Sequence, residues 1–404
     1  MIFLKKIFVS TILMYTCFSN AALEFSISSK IPDKNNIVFS NFFDVEIKDN
    51  ITKYFTFNNN INIIKTDEKC EDFEMNNTYY CLEVNKKDNE IISSLYEKNY
   101  DTTIKIKNFK IDDFENNYIL SKSLGNELYK SIFNKESMFD SKLAYVERLD
   151  LKNNQIFKLI ISDFDGTNKK NLISSPQPIM SINWSSDNSK IAYVSFEDVR
   201  SSIYIYDFKN NKRTKVTSFK GINAFPAWSP DNKNLILSLS KDGSSDLFLY
   251  SIAQNSLKKI TSFSYDAIEP NWLTNEDILF TANRSGMPYL YKLNLKTKKH
   301  EIVSKKYKYT TSPKITNDKK TIYSVYNKNG SAGILETIIS TGDEKILNKD
   351  FFAESPSVAK GDEFIIYSTK DNNKDILKIM NKKGDIIYQI KSNNGFLKEP
   401  SFSN

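Results

Sequence analysis

The C-terminal two thirds of the chain is written in one repeating phrase. Aligned on a proline or its equivalent, the units fall at Ile182, Pro226, Pro270, Pro313, Pro356 and Pro400, at intervals of 44, 44, 43, 43 and 44 residues. Two residues beyond stand Trp184, Trp228, Trp272, Ile315, Val358 and Phe402, so every tryptophan of the chain shares one register. A polar turn follows, read as "SSDNSK", "SPDNKN", "LTNED", "TNDKK" or "AKGDE". Its Asp, Asn and Ser side chains are short enough to hydrogen-bond the local backbone. Three strand-like runs complete each unit, for example "NLILSL", "DLFLYSI" and "LKKITS". Their alternating β-branched and aromatic residues suit pleated strands packed between neighbours. Four short strands in a unit of this length are the signature of a β-propeller blade.

The ends of the repeat show how a ring closes. The chain finishes with "FLKEPSFSN", an innermost strand with nothing after it. Near residue 141, "SKLAYVERLD" matches "SKIAYVSFED" but has no tryptophan strand before it, and "IFKLIISDFDGTNKKNLIS" then supplies a third and fourth strand. The C-terminal strand is therefore expected to complete the first blade, which removes the open edges of a linear array. Five full blades and one shared blade make six. The expected fold is mainly β: a six-bladed β-propeller over residues 139–404, preceded by a small α+β domain with a linking helix over 22–138. The tryptophans are read as packing residues between blades, and Ser-Pro-Asp as a turn.

The first 21 residues read as an export signal, with Lys5 and Lys6, an apolar run from Ile7 to Phe18, then Ser19-Asn20-Ala21. The apolar run falls short of the roughly 20 residues a membrane span needs. Met14-Tyr15-Thr16 is a poor context for lipidation at Cys17. Between residues 22 and 117, "EFSISSK", "NIVFSNFF", "INIIKT" and "TYYCLEV" read as strands and "NEIISSLYEKNY" as a short helix. A longer helix is expected through "ENNYILSKSLGNELYKSIFN", where Leu120, Leu124, Leu128 and Ile132 recur every fourth residue. With Cys17 cleaved off, Cys70 and Cys81 remain. In an exported chain, that pair favours a disulfide across a hairpin over two isolated thiols.

Removing Lys5 and Lys6 takes the formal net charge from +7 to +5, and the remaining charges of both signs are interleaved. A nucleic-acid protein gathers Lys and Arg into a stripe, so nucleic acid is not an expected partner. Catalytic signals are sparse. The single histidine, His300, sits in "KTKKHEIVS", far from any expected funnel, which leaves a Ser-His-Asp triad without its base, and a Cys-His site fails because the cysteines lie in the other domain. "NGSAG" at 329–333 carries Asn where a nucleophile elbow has glycine. "DFDGTN", Asp163 to Asn168, looks like the start of a calcium loop, but it reads better as an Asp-Gly turn between strands. No cofactor is expected, and one histidine is too few for a structural zinc site. Glu269, Glu354 and Glu399 recur one or two places before the repeat proline, which suggests a ring of like residues at the funnel mouth, suited to a partner. Paired carboxylates can also hydrolyse glycosides. A propeller hydrolase acting on a peptide or glycan is therefore the alternative reading, and a ligand-sensing propeller a third.

An export signal, a small α+β domain, the linking stretch "SKSLGNELYKSIFNKESMFDSKLAYV" and six units bearing "PxWSPD" together resemble the TolB family, periplasmic propeller proteins of the Tol-Pal system in Gram-negative envelopes. The resemblance covers residues 118–404 and is densest at "SPQPIMSINWSSDNSKIAYVSFED" and "PAWSPDNKNLILSLSKDGSSDLFLYSI"; the family's Gly-x-Phe is here Ser137-Met138-Phe139. It implies a non-enzymatic periplasmic scaffold that binds the peptidoglycan-associated lipoprotein Pal at the funnel face. Inner-membrane Tol proteins, chiefly TolA, would bind through N-terminal parts. The implied role is support of outer-membrane integrity and of constriction during cell division, with membrane association only through partners. The positions matching the family's Pal contacts are Ile222, Asn223, Phe225, Ile268 and Glu269, where the family's usual His and Thr are both isoleucine. The segment beginning Leu23, Glu24, Phe25, Ser26 and Ile27 matches the family's N-terminal switch, which docks or is released.

Overall fold

In the computed structural model of the chain, which describes residues 35–58, 61–74, 79–97, 102–106, 108–152, 154–284, 286–328, 330–348, 350 and 352–403, the first strand of every repeat unit lies innermost in a four-stranded antiparallel sheet. The innermost strands are Gly395–Phe402, Ile179–Trp184, Asn223–Trp228, Ala267–Trp272, Thr310–Ile315 and Glu354–Val358; each neighbours the next, and the last returns to the first. Numbered in that order they define blades 1 to 6. Blade 1 joins Gly395–Phe402 to Lys142–Asp150, Gln155–Asp163 and Lys170–Ser175, so the tail seals the ring as the repeat ends required. Beyond the ladder, the Ser403 N–H donates to the Lys142 carbonyl and the Lys142 N–H to Ser403 Oγ, both at 2.8 Å.

Both faces of a blade pack on neighbours, so second strands are buried almost without alternation, as in Asn234–Leu239. The tryptophans join adjacent blades. Trp184 Nε1–H of blade 2 donates to the Ser401 carbonyl of blade 1, and Trp272 Nε1–H of blade 4 to the Ala227 carbonyl of blade 3, each at 3.0 Å. Trp228 is packed alike, but its indole N–H has no acceptor among the described residues. The Ser-Pro-Asp phrase is a turn: Ser229 Oγ donates to Asp231 at 2.6 Å and accepts from the Asn234 N–H at 3.0 Å.

The N-terminal domain contains β1 (Asn35–Phe42), α1 (Val45–Thr56), β2 (Ile61–Lys65), β3 (Tyr79–Lys87), β4 (Glu90–Glu97), β5 (Thr102–Lys105), β6 (Phe109–Lys110) and α2 (Asn117–Phe133). Its sheet runs β2-β1-β3-β4-β5, with β6 on β4. The expected helix at 89–100 is strand β4, because Ile91, Ser93 and Leu95 are buried on one face at period two. Conversely, α1 carries no helix signal in its β-branched sequence; Asp44 caps it through the Ile47 N–H at 3.1 Å, and Ile47, Ile51, Tyr54 and Phe55 fill its buried stripe. Cys70 and Cys81 are joined by a disulfide with Cα atoms 5.6 Å apart. The bridge does not cross a hairpin, since β1 lies between β2 and β3; it pins the crossover connection onto β3. The export signal and the segment from Leu23 to Ile27 lie outside the described residues.

One hydrophobic cluster runs from this domain into the ring. It unites Tyr54, Phe55, Leu124 and Leu128 with Leu143 and Phe164 of blade 1, Phe364 and Ile366 of blade 6, and Phe402 of the closing strand. Phe57 touches Phe164 and Tyr388, with ring centroids 5.1 and 4.8 Å apart. The "DFDGTN" turn is the polar part of the same joint. Asp163, 1% exposed, accepts from Lys122 at 2.7 Å, Lys142 at 2.6 Å, Tyr118 Oη at 2.7 Å and Asn168 at 2.7 Å. Burial alone raises its pKa, but these donors outweigh it and hold the carboxyl well below the ordinary range. Lys53 of α1 pairs with Asp165 at 2.6 Å. On blade 6, Gly361 at φ +81° approaches the Glu136 carbonyl so closely that a Cβ there would lie 1.9 Å from it. The domain therefore straddles blades 6 and 1, beside the seam within blade 1 where Gly395–Phe402 and Lys142–Asp150 pair without a covalent link.

Candidate functional site

Strand direction divides the propeller into two faces. Each innermost strand starts at the face that carries the loops leading into it and the loops joining second strands to third; all other turns lie opposite. The N-terminal domain occupies the second face. No element of the N-terminal domain among the described residues covers the first, the mouth face.

Each innermost strand is interrupted by a bulge just before its proline position, where the ladder shifts register. The residue before the proline position is left-handed in all six blades: φ is 54° at Ser181, 50° at Phe225, 52° at Glu269, 53° at Ser312, 50° at Ser355 and 55° at Glu399. None is glycine. Such residues store roughly 1–3 kcal/mol of strain each and cluster at ligand clamps. All six line one cavity of about 330 Å³ on the propeller axis.

Two of the six are carboxylates, on opposite blades. Glu269 accepts from the Ser312 N–H at 2.6 Å, Ser312 Oγ at 2.9 Å and Thr281 Oγ1 at 2.7 Å. Glu399 accepts from the Ser181 N–H at 2.8 Å and Ser355 Oγ at 3.2 Å. Each thereby ties its blade to a neighbour. Lys314 lines this cavity and a second one of about 130 Å³ beneath it, so it stands at the waist of the channel. Protein surrounds Lys314 and Glu399 on every side, while channel solvent still touches both. Burial pushes the Lys314 ammonium down against the pull of Glu399 and Glu269. Burial pushes the Glu399 carboxyl up against its hydrogen bonds from Ser181 and Ser355.

The mouth face carries most of the exposed large apolar side chains. Of the twelve large apolar side chains exposed among the described residues, seven lie on mouth-face loops: Leu151, Val199, Phe219, Ile222, Met287, Tyr309 and Phe352. Val199 is 95% exposed and takes φ 69°, a conformation β-branched residues rarely hold.

The structure separates the five positions singled out in the sequence. Phe225 and Glu269 line the cavity, and Ile222 is 49% exposed beside it. Ile268 is half-buried and pairs with Thr281 within its own blade, away from the cavity wall. Asn223 is fully buried: its Oδ1 accepts from the Phe219 N–H at 3.0 Å, and its Nδ2 donates to the carbonyls of Phe219 at 2.8 Å and Gly221 at 3.3 Å. It shapes the loop that presents Phe219 and Ile222 and does not itself face outward. Phe219 and Val199 escaped sequence reasoning; an aromatic residue in the polar "TSFKG" loop was the available signal for the first. Glu354 also lines the cavity, as the recurrence of carboxylates suggested. His300 lies on the outermost strand of blade 4, its ring 5.3 Å from Phe263. Among the described residues, no three His, Cys, Asp or Glu side chains are placed to hold a metal ion.

Fold and rim together define a class: a six-bladed β-propeller with an α+β domain on its seam and exposed apolar side chains around its mouth. Residues 129–404 match the family described as TolB beta propeller domain. The chain belongs to the TolB β-propeller family. The Tol-Pal system protein TolB of Actinobacillus succinogenes is 37% identical over 280 residues, 69% of this chain and 64% of that protein, so the match spans less than two thirds of that relative. Its namesake in Xylella fastidiosa is 39% identical over 103 residues, 26% of this chain and 24% of that protein. Among solved structures, TolB from Acinetobacter baumannii shares the fold with a TM-score of 0.81 at 22% identity, covering 92% of this chain and 96% of that one.

Proposed function

We infer that this chain is a non-catalytic scaffold of the Tol-Pal envelope system, exported to the periplasm by residues 1–21 and working by protein docking. The observation that carries the reading is the mouth, where six strained residues surround one cavity on the face that carries most of the exposed large apolar side chains. A contiguous apolar patch on one face is what a protein interface buries. Pal is the occupant, with Ile222, Phe225 and Glu269 in contact, and Asn223 and Ile268 shaping the backbone behind them. The N-terminal part, from Leu23 onward, serves TolA and other inner-membrane Tol proteins. An extended terminus can add to a strand edge of its own domain or of a partner. In this role the chain supports outer-membrane integrity and constriction during division, and meets membranes only through partners.

The test is calorimetric titration of the mature chain with the soluble domain of the same organism's Pal. Phe225→Ala is expected to weaken binding about 30-fold, the roughly 2 kcal/mol of a central aromatic anchor. Ile222→Asp, on exposed surface, is expected to weaken it by about tenfold. No binding by the wild type sinks the assignment; binding indifferent to both substitutions sinks the site.

A further inference from the structure

The mouth face is not uniform around its rim. Beside blades 2 and 3 it is apolar, through Val199, Phe219 and Ile222. Where blade 4 leads into blade 5 it is cationic, in the loop "VSKKYKY" at 303–309. Lys305, Lys306 and Lys308 are exposed, and none forms an ion pair with a described residue. Some lysines are paired, as Lys259 with Asp246 at 2.7 Å and Lys398 with Glu354 at 3.5 Å, and others such as Lys220 form no ion pair with a described residue; what sets this loop apart is three such exposed lysines within four residues.

The loop is held in a fixed shape. Glu344, on the outermost strand of blade 5, accepts from three consecutive backbone N–H groups, those of Lys305 at 2.6 Å and of Lys306 and Tyr307 at 3.1 Å. That engages the carboxylate with the backbone rather than with the ammonium groups; Lys306 Nζ lies over the Tyr307 ring, 5.3 Å from its centroid. The Tyr309 carbonyl accepts from the Asn327 N–H at 3.1 Å, and the Thr310 N–H donates to the Pro288 carbonyl at 2.9 Å. Tyr309 itself is 41% exposed at φ 64°, a strained presentation of an aromatic side chain. Solvated lysines on a mobile loop would need none of these ties. The strand that follows supplies Thr311 and Ser312 to the cavity wall, so a body covering the mouth must pass over this loop.

We propose that loop 303–309 is an electrostatic landing site for an acidic surface of the protein that docks on the mouth. The proposal rests on the docking reading above and adds the charge the partner must present beside its apolar anchor. Unpaired rim charges act across a Debye length of about 8 Å, before contact is made. They therefore govern the rate of association and its salt dependence more than the rate of dissociation.

The test is association kinetics between the mature chain and immobilised Pal domain from roughly 50 to 500 mM salt, a range that takes the Debye length well below the reach of the loop. The variant is the triple charge reversal Lys305→Glu, Lys306→Glu, Lys308→Glu, with the triple glutamine variant as a milder form. The expected result is association slowed by about tenfold at low salt, a flattened salt profile and dissociation within about twofold of wild type. An unchanged salt profile in the triple reversal overturns the landing site while leaving the docking assignment intact. So does a change confined to dissociation. Wild-type chain that fails to bind Pal overturns both readings. Capture by phosphatidylglycerol vesicles, lost in the variant with Pal kinetics unchanged, would give the loop to a lipid surface and overturn the proposal.

Discussion

The two halves of the ring are held together by different means. Blades 2, 3 and 4 carry Trp184, Trp228 and Trp272, and two of these indoles reach a carbonyl of the preceding blade. Blades 5, 6 and 1 put Ile315, Val358 and Phe402 at the same position. There buried apolar clusters join the blades without an indole, Asp362 of blade 6 accepts from the N–H groups of Asn317 at 2.6 Å and Asp318 at 2.9 Å in blade 5, and the N-terminal domain spans blades 6 and 1. Interfaces between blades can rely on residues the repeat supplies, even where Trp184 reaches Ser401 from the far end of the propeller sequence. The seam joins segments from opposite ends of the propeller sequence, and a structure from outside the repeat braces it.

The most severe way to break this contrast is Asp163→Asn. It leaves Lys122 nearly buried without its counter-charge, which is expected to cost about 3–5 kcal/mol. Hydrogen exchange should show the loss concentrated in the closing strand Gly395–Phe402, with blades 2 to 4 still protected. Deprotection spread evenly round the ring would erase the distinction between the halves. The tryptophan half is sharpened by a pair of substitutions. Trp272→Phe strips the Ala227 carbonyl of its donor and is expected to cost about 1–3 kcal/mol beyond the change in packing. Trp228→Phe removes an N–H with no acceptor among the described residues, so it should cost clearly less in the same urea titration; equal losses would mean that packing alone holds this half.

The smallest effect concerns acid. The lowered pKa of Asp163 contributes stability that is fully present above its ordinary value of 3.8 and is lost as pH falls through the folded value. The stability gap between wild type and Asp163→Asn should therefore narrow as pH drops below about 4. Parallel acid profiles would remove Asp163 from the clamp.

The spacing of the repeat was enough to set the blade number and the closing strand, because the period is a local property read many times over. The bulges were not legible. Ser, Phe and Glu carry no marker for positive φ, which is imposed by ring geometry rather than by residue preference. Strand β4 was read as a helix because "IISSLYE" suits either period until tertiary partners decide, and α1 was hidden by Val45, Ile47, Ile51 and Thr52. "DFDGTN" was correctly a turn by local chemistry, but its role at the seam depends on Tyr118 and Lys122, some forty residues upstream. The resemblance points to Asn223 as a partner contact, and nothing in the sequence shows that its side chain is buried with three hydrogen bonds to its own loop.

The six left-handed positions have a consequence for how this surface can diverge. Since closure of the wheel dictates the main-chain path there, the side chains it displays are interchangeable keys on a fixed keyboard: Ser, Phe and Glu already occupy geometrically equivalent stations. A lineage can retune what the mouth recognises one station at a time, leaving the frame that carries it undisturbed.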